Sequence, residues 1–336
     1  MADSKAPFGV LGAGSYGTAI AIQLARRGAQ TYLWGRDARA MAKMQEARVN
    51  RGYLPDCHFP AGLTATSDLQ QTMTRATHLF LVVPSHALRE TLQRIAPVLG
   101  PEQGLACACK GLEPGSGRLV HEVVADVLGA ANPLAVVSGP TFAKELGIGL
   151  PTAVTVASST PAFAELIAQA LHGDGFRAYT SDDVVGVEIG GSAKNVMAIA
   201  VGIADGMGLG ANTRAALITR GLAEIMRLGE ALGARPETLM GLAGMGDLVL
   251  TCTDNQSRNR RLGLLLAQGR SVEEAATEIR QVVEGLKAAP EVWRLAQRLG
   301  VDMPITGQVV QLIRGHITTV QAVQNLANRP ARAELE

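Results

Sequence analysis

Several stretches of the sequence place residues where anion and proton chemistry would need them. Gly12-Ala13-Gly14-Ser15-Tyr16-Gly17 fits the pattern GxGxxG. In that pattern the first glycine permits a tight turn, the second lets a pyrophosphate approach the backbone, and the third allows close helix–strand packing. An apolar run precedes it and a helical one follows, so free helix amides would face a dinucleotide. Further on, Trp34-Gly35-Arg36-Asp37 ends the next apolar run, where NAD-preferring sites place an acidic side chain for the ribose. Gly35 leaves space there, and Asp37 reads as a helix N-cap. Arg36 can pair with a 2′-phosphate, stack on adenine, or simply be a solvated cation at a helix start. NADP(H) is therefore favoured, with NAD(H) possible.

Lys110 and the run Ser138-Gly139-Pro140-Thr141-Phe142-Ala143 each follow an apolar strand pattern. Ligands of open parallel sheets collect at such carboxyl ends. Lys194-Asn195 interrupts an apolar helical run; the lysine either snorkels to water or is held for chemistry. Ser257-Arg258-Asn259-Arg260-Arg261 is either a solvated face or a set of arginine forks suited to phosphate.

These residues need a scaffold, and the patterning supplies one. Short apolar runs alternate with helical periodicity up to about residue 183, which predicts a parallel sheet covered on both faces. Helices are predicted over 15–27, 37–48 and 85–95, with strands ending near Leu11, Trp34, Val83 and Cys109. Beyond that point the periodicity is helical almost throughout. The expected fold class is α/β: an N-terminal Rossmann-type parallel-sheet domain (1–185), then an all-α C-terminal domain (186–328) that binds substrate, then a frayed tail (329–336).

Composition narrows the function classes. The chain has 336 residues, 47% hydrophobic and 18% charged, too apolar for disorder and long enough for two domains. Lys plus Arg is 31 against 30 for Asp plus Glu, so no nucleic-acid partner is expected. Any anionic ligand must meet a local cluster of cations. Cys57, Cys107, Cys109 and Cys252 form no CxxC pair and no metal pattern, and read as reduced thiols of a cytoplasmic protein. The uncharged stretch 6–25 is interrupted by Gly9, Gly12, Gly14 and Gly17, a poor lipid-facing helix, so no stable membrane insertion is expected. Glu188 could serve as a general base, but reads as a helix-surface carboxylate. His86 and His121 read as surface or capping residues.

In sum the chain resembles the bacterial NAD(P)-dependent glycerol-3-phosphate dehydrogenases. The resemblance is carried by GAGSYGTA at 12–19, CKGLE at 109–113, SGPTFAKE at 138–145 and GGSAKNVMAIAVGIADG at 190–206. GLAGMGDLVLTCT at 241–253, SRNRRLG at 257–263 and VVEG at 282–285 complete it, in the family's order. It implies Lys194 as general acid/base on the C2 oxygen of glycerol 3-phosphate or dihydroxyacetone phosphate, its pKa lowered by desolvation or neighbouring cations. Lys110, Gly139, Thr141, Asp247, Ser257, Arg258 and Asn259 are implied around the substrate, with Arg258 as phosphate clamp. Gly12, Gly14, Ser15, Tyr16, Gly17, Arg36, Lys110, Ala143, Arg258, Val282 and Glu284 are implied around the cofactor. Tyr16 stands where relatives often have Trp. Arg260 and Arg261 receive no role. The apolar helical half is expected to pair in a homodimer, and the resemblance further implies a supply of glycerol 3-phosphate for phospholipids.

Two other readings compete. A β-hydroxyacid or 6-phosphogluconate-type dehydrogenase shares the architecture and also uses lysine, but the SRNRR and GLAGMGDL segments argue against it. A dinucleotide sensor without turnover would be expected to have a degraded substrate site, whereas Lys110, Lys194, Asp247 and Arg258 are all present.

Overall fold

The computed structural model describes residues 6–129, 131–331 and 333. Among the described residues ten strands form: β1 Phe8–Leu11, β2 Thr31–Trp34, β3 Val49–Asn50, β4 Leu54–His58, β5 Leu63–Thr66, β6 His78–Leu81, β7 Gly104–Cys107, β8 Leu134–Ser138, β9 Thr152–Ala157 and β10 Phe176–Ser181. Eight of them make one sheet in the order β10-β9-β8-β7-β6-β1-β2-β5, and β3 and β4 pair separately. Leu11 and Leu81 are fully buried because helices cover both faces. One layer holds Ile20, Leu24, Phe163 and Ile167 against Phe8 and Phe80. The other packs Leu88, Leu92 and Val123 against Leu79 and Leu105.

From β5 through β8 the sheet is parallel, as expected. The expectation needs one correction at the far edge. β9 runs antiparallel to β8, and β10 follows β9. After Ser138 the chain turns through Gly139 and Pro140 into a six-residue helix, Ala143–Ile148. That helix packs on the Ser15–Arg26 helix, so the chain re-enters the sheet at the end it left. A parallel crossover would have needed a connection carried across the face.

Helices make up the second half. The Val184–Gly206 helix starts at Asp183, whose carboxylate caps Gly186 N at 2.8 Å. It is long and apolar enough to cross a membrane, yet its residues from Gly186 to Ala204 are buried within the protein. Helices Gly210–Ala231, Asp247–Thr253, Arg258–Ala267 and Glu284–Leu299 pack around it. Its contact with the Arg258–Ala267 helix is backbone against backbone. A Cβ on Gly202 would lie 2.2 Å from Arg260 O, and one on Gly263 would lie 2.2 Å from Ile199 O. Small residues thus bring the arginine-bearing helix close to the one that carries Lys194. At the chain's end, Arg329 pairs with Asp302 at 2.7 Å; residues 332 and 334–336 of the expected tail lie outside the described residues.

Glu188 is a second correction. It is only 4% exposed, accepts from His121 N at 2.8 Å and meets His121 Nδ1 at 2.7 Å. A buried carboxylate needs such partners, and this one joins the long helix to the Val120–Leu128 helix of the first half. The hydrogen bond to Glu188 raises the His121 imidazole above its ordinary 6.5. A raised histidine stabilises fully below its unfolded value, and that stability is lost as pH rises through the folded value. His121 should therefore titrate above 6.5 by NMR in the native protein and drop toward 6.5 in Glu188→Gln. A midpoint unmoved by that substitution would contradict the pairing.

Candidate active site

The glycine turn sits where β1 meets the Ser15–Arg26 helix, beside the carboxyl ends of β2 and β6. Gly12 adopts φ +121°, and a Cβ there would lie 2.3 Å from Val82 O. A Cβ on Gly17 would lie 1.9 Å from Gly12 O, so helix and strand can approach only with glycine. Gly14 differs: a Cβ there would meet nothing within 4 Å. No side chain caps this helix, so its first turn begins at Gly14 without a side-chain partner for its free amides. An uncapped helix N-terminus behind an open glycine fits a dinucleotide pyrophosphate. Arg36 stands at the rim, 70% exposed, with Glu90 3.9 Å away.

Two lysines and one aspartate form the centre. Lys110, just past β7, donates to Asp247 Oδ2 at 2.8 Å and to Gly139 O at 3.1 Å, and its ammonium lies 5.6 Å from the Tyr16 ring centroid. Gly139 presents that carbonyl at φ +149°, with no room for a Cβ beside Val154 Cα at 2.9 Å. Thr141 Oγ1 donates to the same carbonyl at 3.3 Å. Lys194 comes from the long helix, 5% exposed, and pairs with Asp247 Oδ1. Asp247 starts the Asp247–Thr253 helix directly after a π-helical turn, Leu242–Gly246. Such turns are frequent at functional sites.

Burial sets the charges apart. It lowers the Lys194 amine to about 7, with Lys110 reinforcing the shift and Asp247 opposing it. Lys110 is also desolvated, but its interaction with the Asp247 carboxylate, aided by Tyr16, more than offsets this and holds it above the ordinary lysine value. Desolvation pushes Asp247 up, and the two ammonium groups outweigh it, so the carboxylate stays below its usual range. The cluster thus holds a permanent cation, a permanent anion and a lysine poised near neutrality. That is the state a proton-transferring amine needs.

A second group closes the site. Arg258 opens the Arg258–Ala267 helix, and Ser257 caps it by accepting from Arg260 N at 3.2 Å. Desolvation lowers the Arg258 pKa, and Glu284 only partly compensates. Glu284 accepts from Ser85 Oγ at 3.3 Å, and burial raises its carboxyl. Asn259 is committed within the protein. Its amide donates to Asn195 Oδ1 at 2.9 Å and its oxygen accepts from Gly285 N at 2.9 Å. It thereby ties together the neighbours of Lys194, Arg258 and Glu284.

The structure thus gathers Lys110, Lys194, Asp247, Gly139, Thr141 and Tyr16, and places Arg258, Asn259 and Glu284 together in a second group. Val282 lies 43% exposed before the Glu284–Leu299 helix, and Ala143 begins the Ala143–Ile148 helix. Sequence reasoning missed Thr251, which accepts from Lys194 Nζ at 3.1 Å while donating to Asp247 O at 2.6 Å. Its four-residue spacing from Asp247, one helical turn, was the available signal. It also missed Ser85.

Comparison with known proteins decides the family. The profile described as "NAD-dependent glycerol-3-phosphate dehydrogenase N-terminus" matches residues 7–164, and that for the C-terminus matches 183–324. The chain belongs to the NAD-dependent glycerol-3-phosphate dehydrogenase family. As a member it is an NAD(P)-dependent oxidoreductase. It is 55% identical to glycerol-3-phosphate dehydrogenase [NAD(P)+] of Thioalkalivibrio sulfidiphilus over 331 residues, covering 98% of this chain and 99% of the relative. Against the protein of the same name from Xanthomonas campestris pv. campestris (strain B100), identity is 53% over 334 residues, 99% and 98% of the two chains. The crystal structure of glycerol-3-phosphate dehydrogenase from Coxiella burnetii superposes with TM-score 0.94 at 47% identity, covering 97% of this dehydrogenase and all of that chain.

Proposed function

We propose that this dehydrogenase interconverts sn-glycerol 3-phosphate and dihydroxyacetone phosphate, with Lys194 as the general acid/base. The observation that carries the reading is the buried Lys194 amine, lowered to about 7 and held by Asp247 beside Lys110. A bound nicotinamide would supply the hydride chemistry at C2, as acceptor in oxidation and donor in reduction. Neutral Lys194 accepts the C2 hydroxyl proton as the hydride departs; in reduction its ammonium gives that proton back to the C2 oxygen. Lys110 stabilises negative charge developing on that oxygen. Asp247 limits the positive excess and contacts substrate hydroxyls, Gly139 and Thr141 line the substrate, and Arg258 grips the phosphate, with Ser257 and Asn259 beside it holding the helix start in place.

Gly12, Gly14, Ser15, Tyr16 and Gly17 would hold the cofactor together with Ala143, Val282 and Glu284, and Arg36 would favour NADP(H) over NAD(H). The wider reading is a cytoplasmic homodimer that supplies glycerol 3-phosphate for phospholipids. Exposed apolar side chains on the helical half, such as Leu209 and Val320, support the dimer, and light scattering tests it.

Oxidation of NADPH and of NADH with dihydroxyacetone phosphate, each compared with unphosphorylated dihydroxyacetone, tests the activity. Phosphate-dependent turnover is expected. Folded protein that binds NADPH and turns over neither substrate would favour the sensor. In the same assay, Arg36→Ala should weaken NADPH by about 5- to 30-fold, the worth of one exposed charge-assisted contact. NADH should be little changed. Equal weakening of both cofactors would remove Arg36 from phosphate recognition.

A further inference from the structure

Arg258 and Arg260 stand two residues apart on one helix and face opposite environments. Residues at that separation point to nearly opposite sides of an α-helix. Arg260 is turned inward, only 8% exposed. Its Nε donates to Asn255 Oδ1 at 3.0 Å, its Nη1 donates to Cys252 O at 3.0 Å, and the same Nη1 pairs with Asp205. Asp205 also receives Arg214 Nε on both oxygens at 2.9 Å. It sits on the long helix about three turns beyond Lys194, on the same face.

One guanidinium therefore joins three pieces of the site. Asp205 belongs to the helix of Lys194, and Cys252 lies in the last turn of the helix that Asp247 begins. Asn255 lies in the turn leading to Ser257 and Arg258. That turn is also held by Ser257 N donating to Asp254 O at 3.1 Å, by Gln256 N donating to Asp254 Oδ1 at 2.7 Å, and at its exposed side by Gln256 Nε2 donating to Glu145 Oε1 at 2.8 Å.

We propose that Arg260 is a positioning residue for phosphate recognition: by locking this turn and the helix's rotation, it directs Arg258 into the cleft. This rests on the reading of Arg258 as phosphate clamp. Lysine cannot replace it, because a single ammonium lacks the planar fork that reaches an aspartate, an amide and a carbonyl together.

Arg260→Lys keeps the charge that Asp205 needs. It should raise KM for dihydroxyacetone phosphate by about tenfold or more while kcat stays within about threefold, a binding and not a chemical defect. Turnover of unphosphorylated dihydroxyacetone should not change. In an Arg258→Ala background, adding Arg260→Lys should shift KM by less than about twofold, because residues acting through one another are non-additive. Should Arg260→Lys not fold, Asp205→Asn replaces it, with the same direction of effect expected. Unchanged KM in folded Arg260→Lys, equal losses on both substrates, or additivity with Arg258→Ala would each overturn the proposal. Arg258→Ala measured alone separates the two ideas. If it leaves phosphate discrimination intact, the clamp reading falls and this inference falls with it. If it abolishes discrimination while Arg260→Lys does nothing, only the inference falls.

Discussion

Lys194→Ala lowers kcat/KM for dihydroxyacetone phosphate by about 10²- to 10⁴-fold, the range for loss of a positioned general acid. NADPH affinity, measured by fluorescence titration, stays within about threefold, because the glycine turn is built from β1 and its helix and not from the long helix. The variant leaves Asp247 paired with Lys110 at 2.8 Å, so no carboxylate is stranded without a partner. Lys194→Arg should rescue little. A guanidinium stays protonated at any working pH and cannot cycle a proton. A loss of cofactor binding as large as the loss of turnover would contradict the role assigned to Lys194.

Removing the Arg258 guanidinium is the next largest effect. Truncating one partner of a desolvated charge pair costs about 2–5 kcal/mol, or about 30- to 5,000-fold. Arg258→Ala should impose that loss on kcat/KM for dihydroxyacetone phosphate and leave unphosphorylated dihydroxyacetone within about threefold. The selectivity follows from the site's layout. Lys110, Asp247 and Lys194 form one group, and Arg258 with Glu284 forms another. Unchanged kinetics with the phosphorylated substrate would remove Arg258 from phosphate binding.

Spacing made the glycine turn legible and singled out the lysine in the apolar helix, while the roles of Lys194, Asp247, Arg258 and Glu284 were what the family resemblance implied. A glycine pattern between a strand and a helix needs no tertiary information, and neither does a lysine inside an apolar helix. Thr251 was legible only through its four-residue spacing from Asp247, a signal that has meaning once Asp247 is placed at a helix start. Glu188 misled because its partner, His121, is distant in sequence, and an isolated carboxylate on a helix is usually solvated. The reversal at β9 was hidden because alternation reports burial and not strand direction. The short strands β3 and β4 escaped notice for another reason, since LPDCH contains a proline and lacks clean alternation. Arg260 was ambiguous because an arginine cluster reads alike whether it faces water, ligand or core. Only the contacts to Asp205, Cys252 and Asn255 separate it from Arg258.

The most direct test of the account is kcat/KM against pH in both directions, since that parameter reports groups of the free enzyme. With Lys194 near 7, dihydroxyacetone phosphate reduction should be level below about pH 7 and fall tenfold per unit above it. Glycerol 3-phosphate oxidation should be its mirror image, rising to about pH 7 and level beyond. Shared breaks near 7 that vanish in Lys194→Ala would support the buried lysine as the proton carrier. Breaks near the ordinary lysine value of 10.5, or breaks that persist without Lys194, would contradict it.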